Sequence, residues 1–265
     1  MKKKAALLMA LAAIAIIKLK NKKRNIPLIG EKAPSFRADT TQGKINFPED
    51  YKGKWVILFS HPADFTPVCT TEFMAFQTMI DEFSELNTSL VGLSVDSLSS
   101  HFAWLKTIRD NIDYNGMENL DITFALIDDK NLKVAKKYGM IHPGASDTKT
   151  VRAVFIIDPK GIIRAILYYP QSNGRNLREI KRLLIALQTT DEFGVVTPAN
   201  WKPGEDVILP PPNSCADIKR LLEQEDKDEN VKCYEWFLCF KGLPKEEIIE
   251  RIYIRANQDD DCIEI

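Results

Sequence analysis

The chain has 265 residues and a mass of 30.1 kDa; 45% of its residues are hydrophobic and 28% are charged. A chain of this size buries roughly three-quarters of its unfolded surface on folding, so it needs neither a disulfide framework nor a metal for stability. The composition is typical of a globular protein and excludes the disordered, collagen-like and polytopic membrane classes.

Charge is distributed unevenly along the chain, whose net charge is −1. Residues 1–27 carry seven lysines, one arginine and no acid, whereas the remainder carries 28 bases and 37 acids. An acidic body of this kind gives no reason to expect nucleic-acid binding. Five cysteines without a dense framework predict a reducing compartment and direct attention to reactive thiols.

Residues 1–24 form a separate basic and apolar segment. Its apolar run, Ala5–Ile17, is shorter than the about 20 residues of a membrane-spanning helix. Five bases follow that run, and positive charge there resists translocation. We therefore expect a cytoplasmic protein, with this segment as a weak membrane anchor or as an inert extension. A cleaved signal peptide is the third alternative.

After Pro27 the hydrophobic pattern alternates between strands and helices. Trp55–Ser60 is a continuous apolar run, typical of a strand buried between helices. The other predicted strands are Ser89–Val95, Ile122–Ile127, Arg152–Ile157 and Ile162–Tyr168. The predicted helices lie over 73–83, 98–112, 131–138 and 176–187. The second of these helices has Ser97 as its predicted cap and an apolar face of Leu98, Phe102, Leu105, Ile108 and Ile112. This order predicts an α/β domain over residues 28–189, with a mixed sheet flanked by helices on both faces.

The character of the chain changes in residues 190–265. A proline-rich, extended stretch over 197–212 is followed by a charged helix at Ala216–Glu225, an aromatic cluster and an amphipathic helix from Lys245. These residues are too few and too irregular for an independent domain. We expect an arm that packs on another surface.

The stretch from His61 to Glu72 is the most informative part of the chain. Thr66 suits a helix N-cap, and Pro67 suits the first helical position. Cys69 then lies in the first turn, where unpaired N–H groups and the helix dipole favour an anion. The thiolate is the nucleophilic form of cysteine, so the position suits attack on an electrophile. The alternative is a small buried hydrophobic residue.

The run PADFTPVCTTE within that stretch resembles the active-site signature of the peroxiredoxins, thiol peroxidases with a modified thioredoxin fold. The resemblance covers 28–209 and continues through four segments: Gly92–Ser97, Val151–Pro170, Gly174–Asn176 and Thr197–Glu205. It implies a thioredoxin-like fold and reduction of hydrogen peroxide and organic hydroperoxides, with no metal, haem, flavin or other cofactor. The C-terminal arm resembles that of the one-Cys subgroup and its archaeal-type relatives.

The resemblance also implies roles for single residues. Cys69 would be the peroxidatic cysteine, oxidised to a sulfenic acid. Thr66 would hydrogen-bond the thiolate and the peroxide, Pro62 would shield the site from water, and Arg152 would stabilise the thiolate and the leaving oxygen. Independently of the family, an arginine in a buried apolar strand needs an anion beside it. The alternative to a catalytic role for Arg152 is therefore a structural ion pair, for which Glu72 is a candidate partner.

One further arginine and the three histidines also bear on the site. Arg175, in the segment GRN, is implied to assist Arg152 in substrate binding, and an exposed turn arginine is the alternative. His61 would make a polar contact near the thiol, or serve only as a structural histidine. His101 and His142 have no partner in the sequence pattern, and we expect both to be non-catalytic.

The other four cysteines lie in the arm. Cys233 and Cys239 bracket the aromatic cluster CYEWFLCF at a spacing that does not match a zinc site, so local sequence favours apolar packing. The resemblance to the archaeal-type relatives implies instead that Cys239 resolves the sulfenic acid of the partner subunit and that Cys233 takes part in a later exchange. We expect Cys215 and Cys262 to be free thiols.

The family resemblance implies a homodimer, a ring of dimers such as a decamer, and a thioredoxin-like or small-thiol reductant. Two alternatives remain: a one-Cys peroxidase that needs an external thiol, and a membrane-tethered assembly that acts as a holdase. A thioredoxin-like disulfide reductase would need a C-x-x-C pair at Cys69, and no second cysteine lies at that spacing. A lipase serine is disfavoured because the segment Gly92–Asp96 lacks the second glycine of the G-x-S-x-G turn.

Overall fold

The computed structural model describes residues 26–225 and 228–260. The strands are β1 Phe36–Thr40, β2 Gly43–Phe47, β3 Trp55–Ser60, β4 Thr88–Ser94, β5 Ala125–Asp128, β6 Arg152–Ile157, β7 Ile163–Tyr169, β8 Val207–Ile208, β9 Val231–Glu235 and β10 Leu238–Lys241. The helices are α1 Pro67–Thr78, α2 Ile80–Ser84, α3 Leu98–Asn111, α4 Lys133–Lys137, α5 Leu177–Phe193, α6 Cys215–Glu225 and α7 Lys245–Asp260. The N-terminal segment 1–24 and Cys262 lie outside the described residues.

Seven strands form one mixed sheet in the order β2-β1-β5-β4-β3-β6-β7. Strands β3, β4 and β5 are parallel, because α1 with α2, and then α3, cross over between them. Strand β6 runs antiparallel to β3 and to β7. The predicted mixed α/β architecture is confirmed.

Side chains along β3 alternate between two apolar cores. Ile57 and Phe59 join the cluster that contains residues of α1, α3 and α5, whereas Val56 and Leu58 face the cluster that contains residues of α4. Burial of one such side chain stabilises the fold by about 1.5–3 kcal/mol. This interior strand is therefore held firmly in the sheet and fixes the position at which the loop after Ser60 begins.

Several element predictions need correction. The hairpin β1–β2 was not predicted, and β5 begins at Ala125 rather than at Ile122. On α3 the buried residues are His101, Trp104 and Ile108, whereas Phe102 is exposed. The predicted cap of this helix is confirmed, since Ser97 accepts a hydrogen bond from the Ser100 N–H.

The C-terminal arm has a sheet of its own, in the order β8-β10-β9. At its base, Trp201 and Leu243 are buried in the same cluster as residues of α5. At the tip of the β9–β10 hairpin, Trp236 and Phe237 are exposed. Among the residues that the structure describes, no helix combines the length and the apolar character needed to cross a bilayer.

Candidate active site

The loop after β3 delivers Cys69 into the first turn of α1. The helix begins at Pro67, as predicted, and the backbone of Thr66 is extended, as an N-cap residue requires. The predicted side-chain cap is wrong, because the Thr66 hydroxyl donates to the Ala63 carbonyl at 2.8 Å instead. The Thr66 hydroxyl therefore satisfies none of the unpaired N–H groups in the first turn around Cys69.

The same loop covers the thiol. Cys69 has no exposed surface, and Pro62 is also buried. Phe65, between them in the chain, is exposed and has a φ of 55°, an unfavourable region for a bulky side chain. The Cys69 sulfur is therefore closed to solvent in this structure.

Arg152, at the start of β6, contacts the Cys69 sulfur. Its Nη1 lies 3.3 Å from the Cys69 Sγ and 2.7 Å from Glu72 Oε2. Its Nε and Nη2 donate to the Gln171 carbonyl at 3.0 and 2.7 Å, so the guanidinium plane is fixed from the other side. The guanidinium is buried and aimed at the sulfur, where it can donate a charge-assisted hydrogen bond to a thiolate.

A second buried arginine completes this charge cluster. The backbone N–H, Nε and Nη2 of Arg175 donate to Glu72 at 2.8, 2.9 and 2.6 Å, and its Nη1 donates to the Ser60 carbonyl at 3.0 Å. Arg175 is thus buried, and the alternative of an exposed turn arginine is wrong.

Glu72 is the carboxylate shared by both arginines. Burial by itself raises the pKa of Glu72, but Arg175 and then Arg152 outweigh it and hold the pKa below its usual value. Two buried guanidiniums and one carboxylate leave one positive charge in the cluster. A thiolate at Cys69 would balance that charge.

Two histidines share a buried carboxylate beside this cluster. His61 Nε2 lies 3.0 Å from Asp64 Oδ1, and His101 Nδ1 lies 2.8 Å from Asp64 Oδ2. His101 therefore has a partner, contrary to the sequence prediction, and Asp64 was missed altogether. The spacing His61-x-x-Asp64 at the end of a buried strand was the available signal. His142 lies apart from this group: its Nε2 is 3.1 Å from the Gly139 carbonyl, and its ring centroid is 4.9 Å from that of Tyr168.

The same region contains a candidate set of metal ligands. Atoms of His61, Asp64 and Asp96 lie within 4.8 Å of one another. However, both Asp64 oxygens contact imidazoles, and Asp96 Oδ2 accepts from the Asp64 N–H at 2.9 Å and from the Ser94 hydroxyl at 2.8 Å. Both Asp64 oxygens, Asp96 Oδ2 and His61 Nε2 are thus engaged by hydrogen bonds within the protein, which leaves too few free ligand atoms for an ion.

The cysteines of the arm differ in state. Cys233 and Cys239 face each other across β9 and β10 and form a disulfide, so the expectation of simple apolar packing is wrong. Cys239 is buried in the hairpin. Cys215, at the start of α6, is a free and exposed thiol.

Comparison with known protein families adds to this geometry. The model of the AhpC/TSA family matches residues 29–166, and the C-terminal domain of 1-Cys peroxiredoxin matches residues 186–224. A protein of Methanosarcina mazei named Peroxiredoxin is 62% identical over 216 residues, which cover 82% of this chain and 98% of the relative. The chain belongs to the AhpC/TSA family, the peroxiredoxins. A Peroxiredoxin of Thermotoga maritima is 50% identical over 222 residues, which cover 82% of this chain and 98% of that relative.

Solved structures of peroxiredoxins share the fold. A yeast mitochondrial 1-Cys peroxiredoxin matches with a TM-score of 0.71 and 42% identity, over 82% of this chain and 100% of that one. A mutant of Peroxiredoxin 6 from Arenicola marina matches with a TM-score of 0.72 and 32% identity, over 82% of this chain and 99% of that one. This peroxiredoxin is therefore a thiol-dependent peroxidase, with a hydroperoxide substrate and a thiol reductant.

Proposed function

We propose that Cys69 is the peroxidatic cysteine and that Arg152 is its electrostatic partner in the reaction. The observation that carries this proposal is the 3.3 Å contact between Cys69 Sγ and Arg152 Nη1, inside a cluster that needs one more negative charge. The position of Cys69 in the first turn of α1 favours the same anion.

In the proposed reaction, the Cys69 thiolate attacks the terminal oxygen of the hydroperoxide. A sulfur–oxygen bond forms and the oxygen–oxygen bond breaks, so the cysteine is oxidised to a sulfenic acid and the peroxide is reduced. The leaving hydroxide or alkoxide takes a proton and departs as water or an alcohol. Arg152 donates to the developing negative charge, and Arg175 holds Glu72, which in turn orients Arg152.

The loop supplies the remaining proposed roles. Thr66 donates to Ala63 in this structure, so its hydroxyl has to rotate before it can donate to the thiolate or to peroxide. Pro62 excludes water from the buried sulfur. His61 supplies a polar contact for the substrate, and its ring packs 4.7 Å from that of Phe73, one helical turn beyond Cys69.

We further propose that the arm resolves the sulfenic acid. The Cys239 thiolate of the partner subunit attacks the Cys69 sulfenic sulfur, a disulfide forms and water leaves. The Cys233 thiolate then attacks Cys239, which releases the Cys69 thiolate and leaves a Cys233–Cys239 disulfide for the external reductant. The pairing of Cys233 with Cys239 in this structure supports that final step.

The resolution step is tested with single-cysteine variants. Cys239→Ser should abolish the Cys69 disulfide, whereas Cys233→Ser should trap the Cys69–Cys239 disulfide. Cys215→Ser is the matched control because Cys215 lies in the same arm but is free and exposed. Mixing isotope-labelled and unlabelled protein identifies inter-subunit pairing by mass. Equal turnover in Cys239→Ser and in the unmodified protein would refute resolution by the arm.

The alternative is a one-Cys enzyme that uses an external thiol directly. It is favoured by the match of residues 186–224 to the C-terminal domain of 1-Cys peroxiredoxin. The yeast 1-Cys relative is described with glutathione/thioredoxin systems, so these are the reductants to compare. A holdase role is separated by Cys69→Ser, which should leave binding of unfolded protein unchanged while it abolishes peroxide turnover.

Assembly and location complete the proposal. We expect a homodimer and a ring of dimers such as a decamer, supported by the position of β7 at the edge of the sheet and by the exposed aromatic tip of the arm. Light scattering after gel filtration measures the ring size. The cytoplasmic location and weak membrane association through 1–24 stay predictions, and vesicle flotation with and without that segment tests the association.

A further inference from the structure

The loop between β7 and α5 anchors both arginines of the charge cluster. The Gln171 carbonyl accepts from Nε and Nη2 of Arg152, at 3.0 and 2.7 Å. Later in the same loop, Arg175 donates to Glu72 through its backbone N–H and its guanidinium. The path of the main chain between Gln171 and Arg175 therefore fixes where each guanidinium lies.

Between these two anchoring residues, the loop exposes an asparagine that is followed by a glycine. Ser172, Asn173 and Gly174 are all exposed. The Gly174 N–H meets no acceptor in the part of the chain that the structure describes. The Ser172 hydroxyl donates to Asn173 Oδ1 at 2.6 Å and so polarises the side-chain amide. A backbone nitrogen without a partner in the described chain thus follows directly on a polarised amide.

These two groups are suited to an intramolecular reaction. The Gly174 nitrogen can approach Asn173 Cγ, because glycine has no side chain that restricts its backbone. A nucleophile held in the same chain acts at a high effective concentration. The hydrogen bond from the Ser172 hydroxyl stabilises the negative charge that develops on Asn173 Oδ1 during the attack.

We propose that Asn173 is a modification site, which loses its side-chain amide by attack of the Gly174 nitrogen, and that the product slows oxidation of Cys69. A bond forms between the Gly174 nitrogen and Asn173 Cγ, and the bond from Cγ to the side-chain nitrogen breaks. Ammonia leaves with the proton of the Gly174 N–H. Water then opens the cyclic imide at one of its carbonyls, which gives aspartate or isoaspartate. No oxidant or reductant takes part.

Both products disturb the charge cluster, because the following residue lies against it. A Cβ placed on Gly174 would be 4.0 Å from Glu72 Oε1. Aspartate and isoaspartate each add a negative charge at neutral pH, which opposes a thiolate at Cys69. Isoaspartate also adds a carbon atom to the main chain, which displaces the Arg175 N–H from Glu72. The effect on the thiol rests on the proposed peroxidatic role of Cys69, whereas loss of the amide does not.

A second exposed asparagine–glycine pair, Asn115–Gly116, gives an internal comparison. It lies in a turn closed by backbone hydrogen bonds between Tyr114 and Met117, at 3.2 and 3.0 Å. Within the described ranges, no side chain donates to the Asn115 amide oxygen. We therefore expect Asn173 to lose its amide roughly fivefold faster than Asn115, the rate equivalent of one net hydrogen bond.

The experiment follows amide loss and peroxide reduction in the same samples. Reduced full-length protein is incubated at mildly alkaline pH, which favours deprotonation of the attacking N–H, and its peptides are identified by mass at intervals. The tryptic peptide 165–175 contains Asn173 as its single asparagine. Competition for peroxide gives the rate constant for Cys69 oxidation. We expect the converted fraction to react roughly ten- to a hundredfold more slowly, the loss that a misplacement of about 1 Å can cause.

Two variants separate this reaction from general ageing of the protein. Gly174→Ala is the matched control, because its methyl group would make only ordinary contacts, at 3.5 Å from Val68, yet it hinders attack by the nitrogen. This variant should keep both the amide and the oxidation rate throughout the incubation. Ser172→Ala should lower the rate of amide loss at Asn173 to that at Asn115.

The outcomes that overturn the proposal are distinct from those that refute the peroxidatic role of Cys69. Loss of the amide at Asn115 but not at Asn173 would overturn the modification site. An unchanged oxidation rate after conversion of Asn173, or an equal decline in Gly174→Ala, would overturn its effect on the thiol. Peroxide turnover that survives Cys69→Ser would instead refute the proposed function, and amide loss at Asn173 would still be measured by mass.

Discussion

Glu72→Gln is the perturbation that most directly tests the buried charge cluster. The substitution keeps the side-chain size but removes the carboxylate that accepts from Arg152 at 2.7 Å and from Arg175 at 2.6, 2.8 and 2.9 Å. Two buried guanidiniums then face a neutral amide whose NH₂ end adds another donor. Removing one partner of a buried ion pair costs about 3–5 kcal/mol, and we expect the upper half of that range because two arginines lose their partner.

Equilibrium unfolding in urea measures this loss, with thiols reduced and protein concentration fixed, since assembly stabilises the folded state. Glu179→Gln is the matched control. Glu179 also binds an arginine through both oxygens, at 2.6 and 2.8 Å from Arg182, but the pair is partly exposed. Such a surface pair contributes about 0–1 kcal/mol. Equal destabilisation of the two variants, within about 1 kcal/mol, would show that Glu72 contributes no more to stability than a surface ion pair does.

Three further outcomes are expected. Arg152→Lys should slow Cys69 oxidation by roughly 10²–10³, the loss for one donor to a developing oxyanion, measured by competition for peroxide. Folding lowers the pKa values of Glu72 and Asp64. The two carboxylates therefore stabilise the folded state above about pH 4, and this stabilisation is lost on further acidification. Unfolding midpoints measured as a function of pH report the loss. Gly139→Ala should destabilise the fold by about 1 kcal/mol or more, measured by thermal unfolding, because φ is +67° and the new methyl group would clash with the Ile26 side chain.

Each of these outcomes has a control or a contrary result. Arg164→Lys alters a surface pair with Asp191 and should leave the peroxide rate unchanged. A flat stability profile below pH 4 would contradict the depressed carboxyl pKa values. Gly144→Ala meets open space and should cost little, so equal destabilisation at Gly139 and Gly144 would contradict the steric argument.

The sequence predicted the parts of the site that depend on local rules. A buried apolar strand, a proline at the first helical position and a cysteine in the first turn place Cys69 correctly from residues 55–69 alone. The need of Arg152 for an anion also predicted its pairing with Glu72, 80 positions away in the chain. The pairing could be predicted because a buried charge is tolerated only next to an opposite charge and hydrogen-bond partners.

The missed features depend on tertiary partners. His101 occupies a core position of α3, where an apolar periodicity favours Phe102, because Asp64 and the Ile127 carbonyl satisfy its ring. Thr66 has the sequence of an N-cap, yet its hydroxyl is taken by Ala63. Both features depend on the hydrogen-bond acceptor that lies nearby in the folded structure. The hydrophobic pattern of the sequence carries no information about that acceptor.

We propose that the environment of Cys69, and not its accessibility, makes it the reactive thiol. Cys69 is fully buried, whereas Cys215 is free and exposed, so the two cysteines give opposite expectations. Reduced protein is treated with about one equivalent of hydrogen peroxide, which is enough for one sulfenic acid per chain. A reagent that traps sulfenic acids is present during the treatment, and the modified peptides are then identified by mass. We expect to find the trap, or a disulfide to Cys239, on Cys69, with Cys215 unmodified. Oxidation of Cys215 with Cys69 left as a free thiol would contradict it.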